Sequence, residues 1–109
     1  MLADDFVFIN AVMALSSPII TYTLFQSLID AEVRTGLDRE TATKIVYQTI
    51  TGSLEVWKTR HVPTYELISE ASTPGGISIE SMFTLDKHAF KASIVEAVHA
   101  AIQIADSFP

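Results

Sequence analysis

One segment of the chain, STPGGISIE at residues 72–80, combines a proline, two adjacent glycines and a hydroxyl side chain ahead of a short apolar run. Pro74, Gly75 and Gly76 predict a loop that leads into the start of a helix. Unpaired backbone N–H groups at a helix start bind anions, and glycines keep side chains away from them. Ser78 can donate its hydroxyl to an anion or cap the helix. The residues alone favour the plain helix corner capped by Ser78, because most Pro-Gly turns bind nothing.

Other patterns that carry chemistry are missing from the sequence. The three histidines (His61, His88 and His99) do not pair with each other or with carboxylates at metal-ligand spacing, so we expect solvated or helix-terminal histidines and no metal site. The sequence contains no cysteine, no G-x-G-x-x-G loop and no G-x-S-x-G elbow. We therefore predict no catalytic residue and no cofactor site within the chain.

The uncharged segment at residues 6–29 is long enough to span a bilayer. In its middle, Ser16-Ser17-Pro18 is typical of a helix start, with a serine at the N-cap and Pro18 at the first helical position. The segment is therefore predicted to form two helices, at about residues 6–15 and 18–35, each too short to cross a membrane. No basic region precedes it, as a signal peptide would require. We expect buried or interfacial helices and no membrane span.

The rest of the chain also predicts helices, so the expected fold is all-α, with about six helices in one domain over residues 1–109. Gly36 is predicted as a left-handed C-cap and Asp38 as the N-cap of the third helix, which should fray near residues 58–61. Gly52 and Ser53 are small enough for another helix to approach closely. The inward face of this helix is predicted to carry Ala42, Ile45, Val46, Thr49, Ile50, Ser53, Leu54 and Trp57. The later helices are predicted from Pro63 through residue 71, around residues 79–87 and at about residues 89–107, the last being clearly amphipathic.

The composition points to an apolar interface. Hydrophobic residues make up 49% of the 109 residues, a high share for a small soluble monomer. The formal charge of −6 argues against nucleic acid, which requires clustered Lys and Arg. The absence of cysteine fits a reducing compartment, and we expect a cytoplasmic location.

The order of motifs along nearly the whole chain resembles the C-terminal domain of the pyrroline-5-carboxylate reductase family. That family has Ser/Thr-Ser-Pro-Gly-Gly-Thr-Thr, then a short helix, then Gly-Gly-Phe ahead of a long helix. The counterparts here are residues 72–78 and His88-Ala89-Phe90. Upstream, NAVMALSSP at residues 10–18 and LIDAEVRTGLDRETATKIVYQTITGS at residues 28–53 are similar to the family's motifs.

The resemblance implies the dimerisation and substrate-binding domain of an enzyme that reduces 1-pyrroline-5-carboxylate to proline with NAD(P)H. The family's cofactor binds an N-terminal Rossmann domain that this chain lacks, so the chain alone should transfer no hydride. The resemblance also implies a homodimer, or a higher oligomer, with interleaved helices. It implies that a small-molecule carboxylate is held by the Gly76 and Ile77 amides and the Ser78 hydroxyl, with Thr73 and Gly75 in the same loop.

Two other functions stay open. The family's Ser-Gly-Ser-Gly-Pro is shortened here to Ser16-Ser17-Pro18, and Ser78 stands where a threonine is usual. The shortened Ser-Ser-Pro segment favours a non-catalytic relative that acts in regulation or assembly over an orthodox reductase. A free-standing helical interaction module without a ligand is the third interpretation.

Overall fold

The structure, a computed structural model, describes Val7, Ile9 and residues 18–72 and 76–106, with only the backbone at residues 105 and 106. This part of the chain contains five α-helices of several turns and no strand, which confirms the all-α class. Most of the helix predicted at residues 6–15, and Ser16 and Ser17, lie outside the described residues. The helices are α1 (Ile19–Arg34), α2 (Arg39–Arg60), α3 (Thr64–Ala71), α4 (Ile77–Lys87) and α5 (Phe90–Asp106).

The helices belong to two compact units. The unit Thr21–Ser81 holds nearly all of α1, the whole of α2 and α3, and the beginning of α4. The other unit includes the rest of α4 and α5. The helix start that carries the candidate site therefore belongs to the same unit as α2 and α3.

A glycine ends α1, as the sequence predicts. Gly36 has φ of +116°, and its N–H donates to the Val33 carbonyl at 3.0 Å. The N–H of Leu37 donates to the Glu32 carbonyl at 3.4 Å. This pair of bonds is the Schellman arrangement, which satisfies carbonyls that the helix end leaves unpaired.

An aspartate begins α2, again as predicted. The Asp38 carboxylate accepts from the Thr41 N–H at 3.1 Å and from the Thr41 hydroxyl at 2.7 Å. These hydrogen bonds hold the pKa of Asp38 below its ordinary value. Arg39, the first residue of α2, donates to the Asp30 carboxylate of α1 at 3.0 Å. The cap and the ion pair together connect α1 to α2.

The turn between α2 and α3 uses a left-handed histidine. His61 has φ of +53°, and its N–H donates to the Trp57 carbonyl at 3.3 Å, so α2 ends within the predicted 58–61 range. The start of α3 differs by one residue from the prediction. Pro63 is the N-cap and not the first helical residue, because its ψ of 147° is extended.

The core of the described residues is small. Ala42 and Val46 on α2 are the buried hydrophobic residues, and both belong to the predicted inward face. Other members of that face remain open to solvent, with Leu54 53% exposed and Trp57 49% exposed. The apolar face predicted for α2 is thus only partly covered within one chain. No helix in the described part of the chain is both long and apolar enough to cross a membrane.

The last helix, α5, follows its predicted pattern. Its half-buried positions share one side of the helix and comprise Phe90, Ile94, Val98, Ala101 and Ile102. Polar residues such as Lys91, Glu96 and Gln103 are exposed. The amphipathic spacing in the sequence therefore identifies most of the packed side of this helix, whereas Ala97, which the same spacing places on that side, is exposed.

Candidate carboxylate-binding site

The end of α3 is fixed by local hydrogen bonds. Ser72 is the C-cap, and its N–H donates to the Ser69 carbonyl at 3.1 Å. The Ser72 hydroxyl donates to the Ile68 carbonyl at 2.6 Å. The predicted site residues Thr73 and Gly75 follow directly and lie outside the described residues.

The start of α4 supplies the other three predicted site residues. Gly76 lies directly before the helix, and Ile77 and Ser78 are its first two residues. Backbone N–H groups of a first turn have no partner within their own helix, and they lie at the positive end of the helix dipole. The Ile77 side chain is 90% exposed, so this helix start is at the surface. Three consecutive amides here are thus able to donate to an anion.

Ser78 is not the N-cap that the sequence favours at this position. Because α4 begins at Ile77, Ser78 lies inside the first turn and not at the N-cap. Its side chain is exposed, and its hydroxyl makes no hydrogen bond with any other described residue. The Ser81 hydroxyl, by contrast, donates to the Ile77 carbonyl at 3.4 Å. The Ser78 hydroxyl is therefore the side-chain donor of this turn that can reach a ligand.

A carboxylate of the protein lies in the same turn. Glu80 is in the first turn of α4, where the helix dipole favours a negative charge. A bound anion would share this positive end with Glu80. Hydrogen bonds from the amides and from Ser78, more than net charge, must then supply the attraction.

The histidines are dispersed over the fold. His61 caps α2, His88 lies in the turn after α4, and His99 is within α5. Within the ranges that the structure describes, no group of three His, Asp or Glu residues could hold a metal ion.

An ion pair between the ends of α2 and α3 is not predicted from the sequence. Arg60, the last residue of α2, donates to the Glu70 carboxylate of α3 from its two terminal guanidinium nitrogens, at 2.5 Å between Nη1 and Oε2 and 2.9 Å between Nη2 and Oε1. The hydrogen bond lowers the pKa of Glu70 and raises the pKa of Arg60. The two residues are ten positions apart across a turn, and only the opposite charges on either side of that turn could have indicated the pair.

A groove of about 640 Å³ lies between α2 and α3. It is lined by Gln48, Thr49, Gly52, Ser53 and Val56 of α2 and by Leu67, Glu70 and Ala71 of α3. A Cβ atom added at Gly52 would meet no atom within 4 Å. The close approach of another helix that Gly52 and Ser53 predict is therefore not made at Gly52 by the described part of this chain.

Comparison with known proteins points to one family. The family model described as pyrroline-5-carboxylate reductase dimerisation matches residues 8–108. Pyrroline-5-carboxylate reductase from Pseudomonas aeruginosa is 31% identical over 92% of this chain and 37% of its own. The Arabidopsis thaliana protein of the same name is 35% identical over 91% of this chain and 36% of its own, and the Synechocystis protein is 33% identical over 79% and 32%.

A solved structure agrees with these relatives. The crystal structure of Plasmodium falciparum pyrroline carboxylate reductase with NADP bound is similar, with a TM-score of 0.84 and 37% sequence identity. The match covers 87% of this chain and 37% of that one. The chain thus spans about a third of the length of the curated relatives it matches.

Proposed function

Because the chain belongs to the pyrroline-5-carboxylate reductase dimerisation family, we propose that it is the dimerisation and substrate-carboxylate-binding part of an NAD(P)H-dependent reductase. The intact protein would reduce 1-pyrroline-5-carboxylate to proline. The chain contains no glycine-rich dinucleotide loop, so its residues do not fit NAD(P)H, and the cofactor is proposed to bind elsewhere in the protein. The absence of cysteine fits a cytoplasmic setting for this reaction.

The observation that carries the substrate proposal is the open helix start at Gly76, Ile77 and Ser78. Its amides have no intrahelical partners, and the exposed Ser78 hydroxyl is free to donate beside them. A carboxylate accepts several such bonds at once, and bonds to a charged acceptor are stronger than neutral ones. Holding the substrate by its carboxylate would fix the ring relative to the hydride donor, which is how binding groups lower a reaction barrier.

Proline, the proposed product, is the probe that tests this site. Calorimetric titration of the protein with proline should show binding that falls about tenfold on Ser78→Ala, as expected for one lost hydrogen bond to a charged group. Ser78→Thr keeps the hydroxyl and should keep the affinity.

Ser27→Ala is the matched control for this test. The Ser27 hydroxyl donates to the Thr23 carbonyl within α1 at 2.8 Å, remote in sequence from the loop, so its loss should leave proline binding unchanged. Equal affinity in Ser78→Ala and wild type would remove the hydroxyl from the site. An absence of proline binding in the wild type would contradict the carboxylate site as a whole.

The partner we propose is a second copy of the chain. Eighteen large hydrophobic side chains are exposed among the described residues, against two buried hydrophobic residues. Exposed apolar area on this scale marks an interaction surface. The open groove at Gly52 is also lined by the exposed Val56 of the same helix, and we propose that the partner's helix packs there.

Substitution at Gly52 separates folding from association. A Cβ at Gly52 has no described atom within 4 Å, and Gly52 is exposed, so we expect Gly52→Leu to keep its helical circular dichroism while weakening the dimer in analytical ultracentrifugation. Glu55→Leu adds the same side chain outside the groove lining and should stay dimeric. A wild-type protein that sediments as a folded monomer at micromolar concentration would contradict the dimer. A dimer unaffected by Gly52→Leu would place the interface away from the groove.

A non-catalytic relative that serves in regulation or assembly is the second candidate. The shortened Ser16-Ser17-Pro18 segment favours it, because a change of loop length alters the shape of a neighbouring site. Oxidation of NAD(P)H by the intact protein in the presence of 1-pyrroline-5-carboxylate distinguishes the two candidates. Robust turnover would eliminate the second, whereas proline binding without turnover would favour it.

A further inference from the structure

The ion pair between Arg60 and Glu70 has a geometry unlike the other ion pairs of the described residues. The two terminal guanidinium nitrogens of Arg60 each donate to a different carboxylate oxygen of Glu70, whereas Arg39 uses one nitrogen for Asp30. The third pair, Lys44 with Glu40, lies within α2 and connects no second helix. A bidentate arginine–carboxylate pair fixes the relative orientation of the groups it joins, in addition to their distance.

The position of this pair connects it to the loop. Arg60 is the last residue of α2, and Glu70 lies in the last turn of α3, two residues before Ser72. Ser72 is itself held by its hydroxyl and its N–H to Ile68 and Ser69. From Ser72 the chain needs only residues 73–75 to reach Gly76. The orientation of the end of α3 thus constrains where the start of α4 can lie.

We propose that Arg60 and Glu70 are positioning residues for the carboxylate site, holding the end of α3 so that the Gly76 and Ile77 amides and the Ser78 hydroxyl converge on one ligand. This role rests on the proposed carboxylate-binding function. It assigns no contact between the ion pair and the ligand.

The exposure of this ion pair favours a role in positioning the neighbouring helix ends over a role in the stability of the whole fold. Both side chains are about half exposed, and solvent-exposed ion pairs add little to overall stability. Small displacements of binding groups, in contrast, reduce the quality of several hydrogen bonds together. Glu66, one turn earlier on α3, adds its charge near Arg60 and could replace part of the Glu70 charge. Arg60→Gln is therefore the decisive variant, because it removes the partner of both carboxylates.

The test compares two interhelical pairs by proline titration and by backbone amide NMR. Arg60→Gln should weaken proline binding about threefold to fivefold, which is the range that an exposed ion pair can supply. The melting temperature should change no more than in Arg39→Gln, the matched control that breaks the pair between α1 and α2. Arg60→Lys keeps the positive charge but cannot form the two parallel hydrogen bonds, so its affinity for proline should lie between those of the wild type and Arg60→Gln. The charge swap R60E/E70R should restore part of the binding, because Glu66 and the negative end of α2 both disfavour a glutamate at position 60.

The amide resonances of Gly76, Ile77 and Ser78 provide a readout that needs no ligand. They should shift in Arg60→Gln, return toward their wild-type positions in the swap, and stay unchanged in Arg39→Gln. Unshifted resonances in Arg60→Gln would overturn the positioning role, as would an equal loss of proline affinity in Arg39→Gln. A wild type that binds no proline would refute the proposed function, and the resonances would still decide whether the ion pair positions the start of α4.

Discussion

Ala89, between α4 and α5, has a backbone conformation that suits glycine better than alanine. Its φ is +56°. Its N–H donates to the Asp86 carbonyl at 3.1 Å, and its own carbonyl accepts from the Ser93 N–H at 2.9 Å. Ala89 therefore lies at the corner where α4 ends and α5 begins, and both hydrogen bonds are made while its φ is positive. We predict that Ala89→Gly stabilises the protein.

The size of the effect follows from two opposing contributions. A left-handed backbone costs a residue with a Cβ about 1–2 kcal/mol, and glycine is free of this strain. Glycine also gives the unfolded chain more freedom, which lowers stability by about 0.4–1 kcal/mol. The strain relief is the larger of the two. The expected net gain is about 0.5–1 kcal/mol, or several degrees in the melting temperature of a domain this small.

Urea unfolding at one fixed protein concentration measures this gain, with Ala100→Gly as the control. Ala100 is exposed within α5, where glycine in place of alanine should cost about 1 kcal/mol. The two substitutions are chemically identical, so only backbone conformation can give them opposite signs. If Ala89→Gly destabilises the protein as Ala100→Gly does, the left-handed corner between α4 and α5 is refuted.

Four further measurements test other parts of the structure. Gly36→Ala should destabilise the protein by about 1 kcal/mol in urea unfolding, because its φ of +116° strains any Cβ although the space around it is empty; an unchanged midpoint would contradict the Schellman turn. His61→Gly should stabilise by about 0.5–1 kcal/mol for the same reason as Ala89→Gly, and destabilisation would mean that the histidine side chain makes an essential contact. The pKa values of Asp30, Asp38 and Glu70 are lowered by their hydrogen bonds, to Gln26 first for Asp30, to Thr41 for Asp38 and to Arg60 for Glu70. The stability that these three carboxylates contribute is fully present above their unfolded-state pKa values, near pH 4, and is lost as the pH falls through their lower folded-state pKa values. The melting temperature should therefore fall when the pH is lowered below about 4. A rise in the melting temperature would refute these hydrogen bonds. The melting temperature should also increase with protein concentration, because a second copy that binds the folded chain stabilises it. A melting temperature that is unchanged by hundredfold dilution would contradict this link between dimerisation and folding.

Local signals in the sequence predict the helix ends well. Gly36 and Asp38 act within three residues of their own position, so their types alone determine the end of α1 and the start of α2. The error at Pro63 is of the same local kind. Proline fits both the N-cap and the first helical position, because either leaves its missing N–H without consequence, and only ψ distinguishes them.

Longer-range features could not be predicted in the same way. The spacing of Leu54 and Trp57 indicates an apolar face but does not say whether the same chain or another one covers it. The pairing of Arg60 with Glu70 depends on the angle between α2 and α3, which no local pattern specifies. Ala89 is harder still, because alanine is not favoured at positive φ, and only the family's glycine at this position hints at the conformation.

The candidate site lies between these cases. The two glycines and the following apolar run correctly predict a loop that leads into a helix. The first residue of that helix is Ile77 and not Ile79, and this shift of two residues changes Ser78 from a cap into an available donor. The functional interpretation is thus sensitive to a helix boundary, which is the least certain feature to read from a sequence.

Association and ligand binding are connected through α3 if both proposals hold. Leu67, Glu70 and Ala71 line the groove that we assign to the second copy, and Glu70 is also the partner of Arg60. A helix packed in that groove would contact the end of α3 at the same turn that Arg60 binds through Glu70. Both contacts then restrict the same segment, the one that leads to Gly76. Because linkage is reciprocal, any dimer contact that improves carboxylate binding must be strengthened by the carboxylate to the same degree. A reductase part built this way would bind its substrate best as a dimer, with the substrate in turn favouring the dimer.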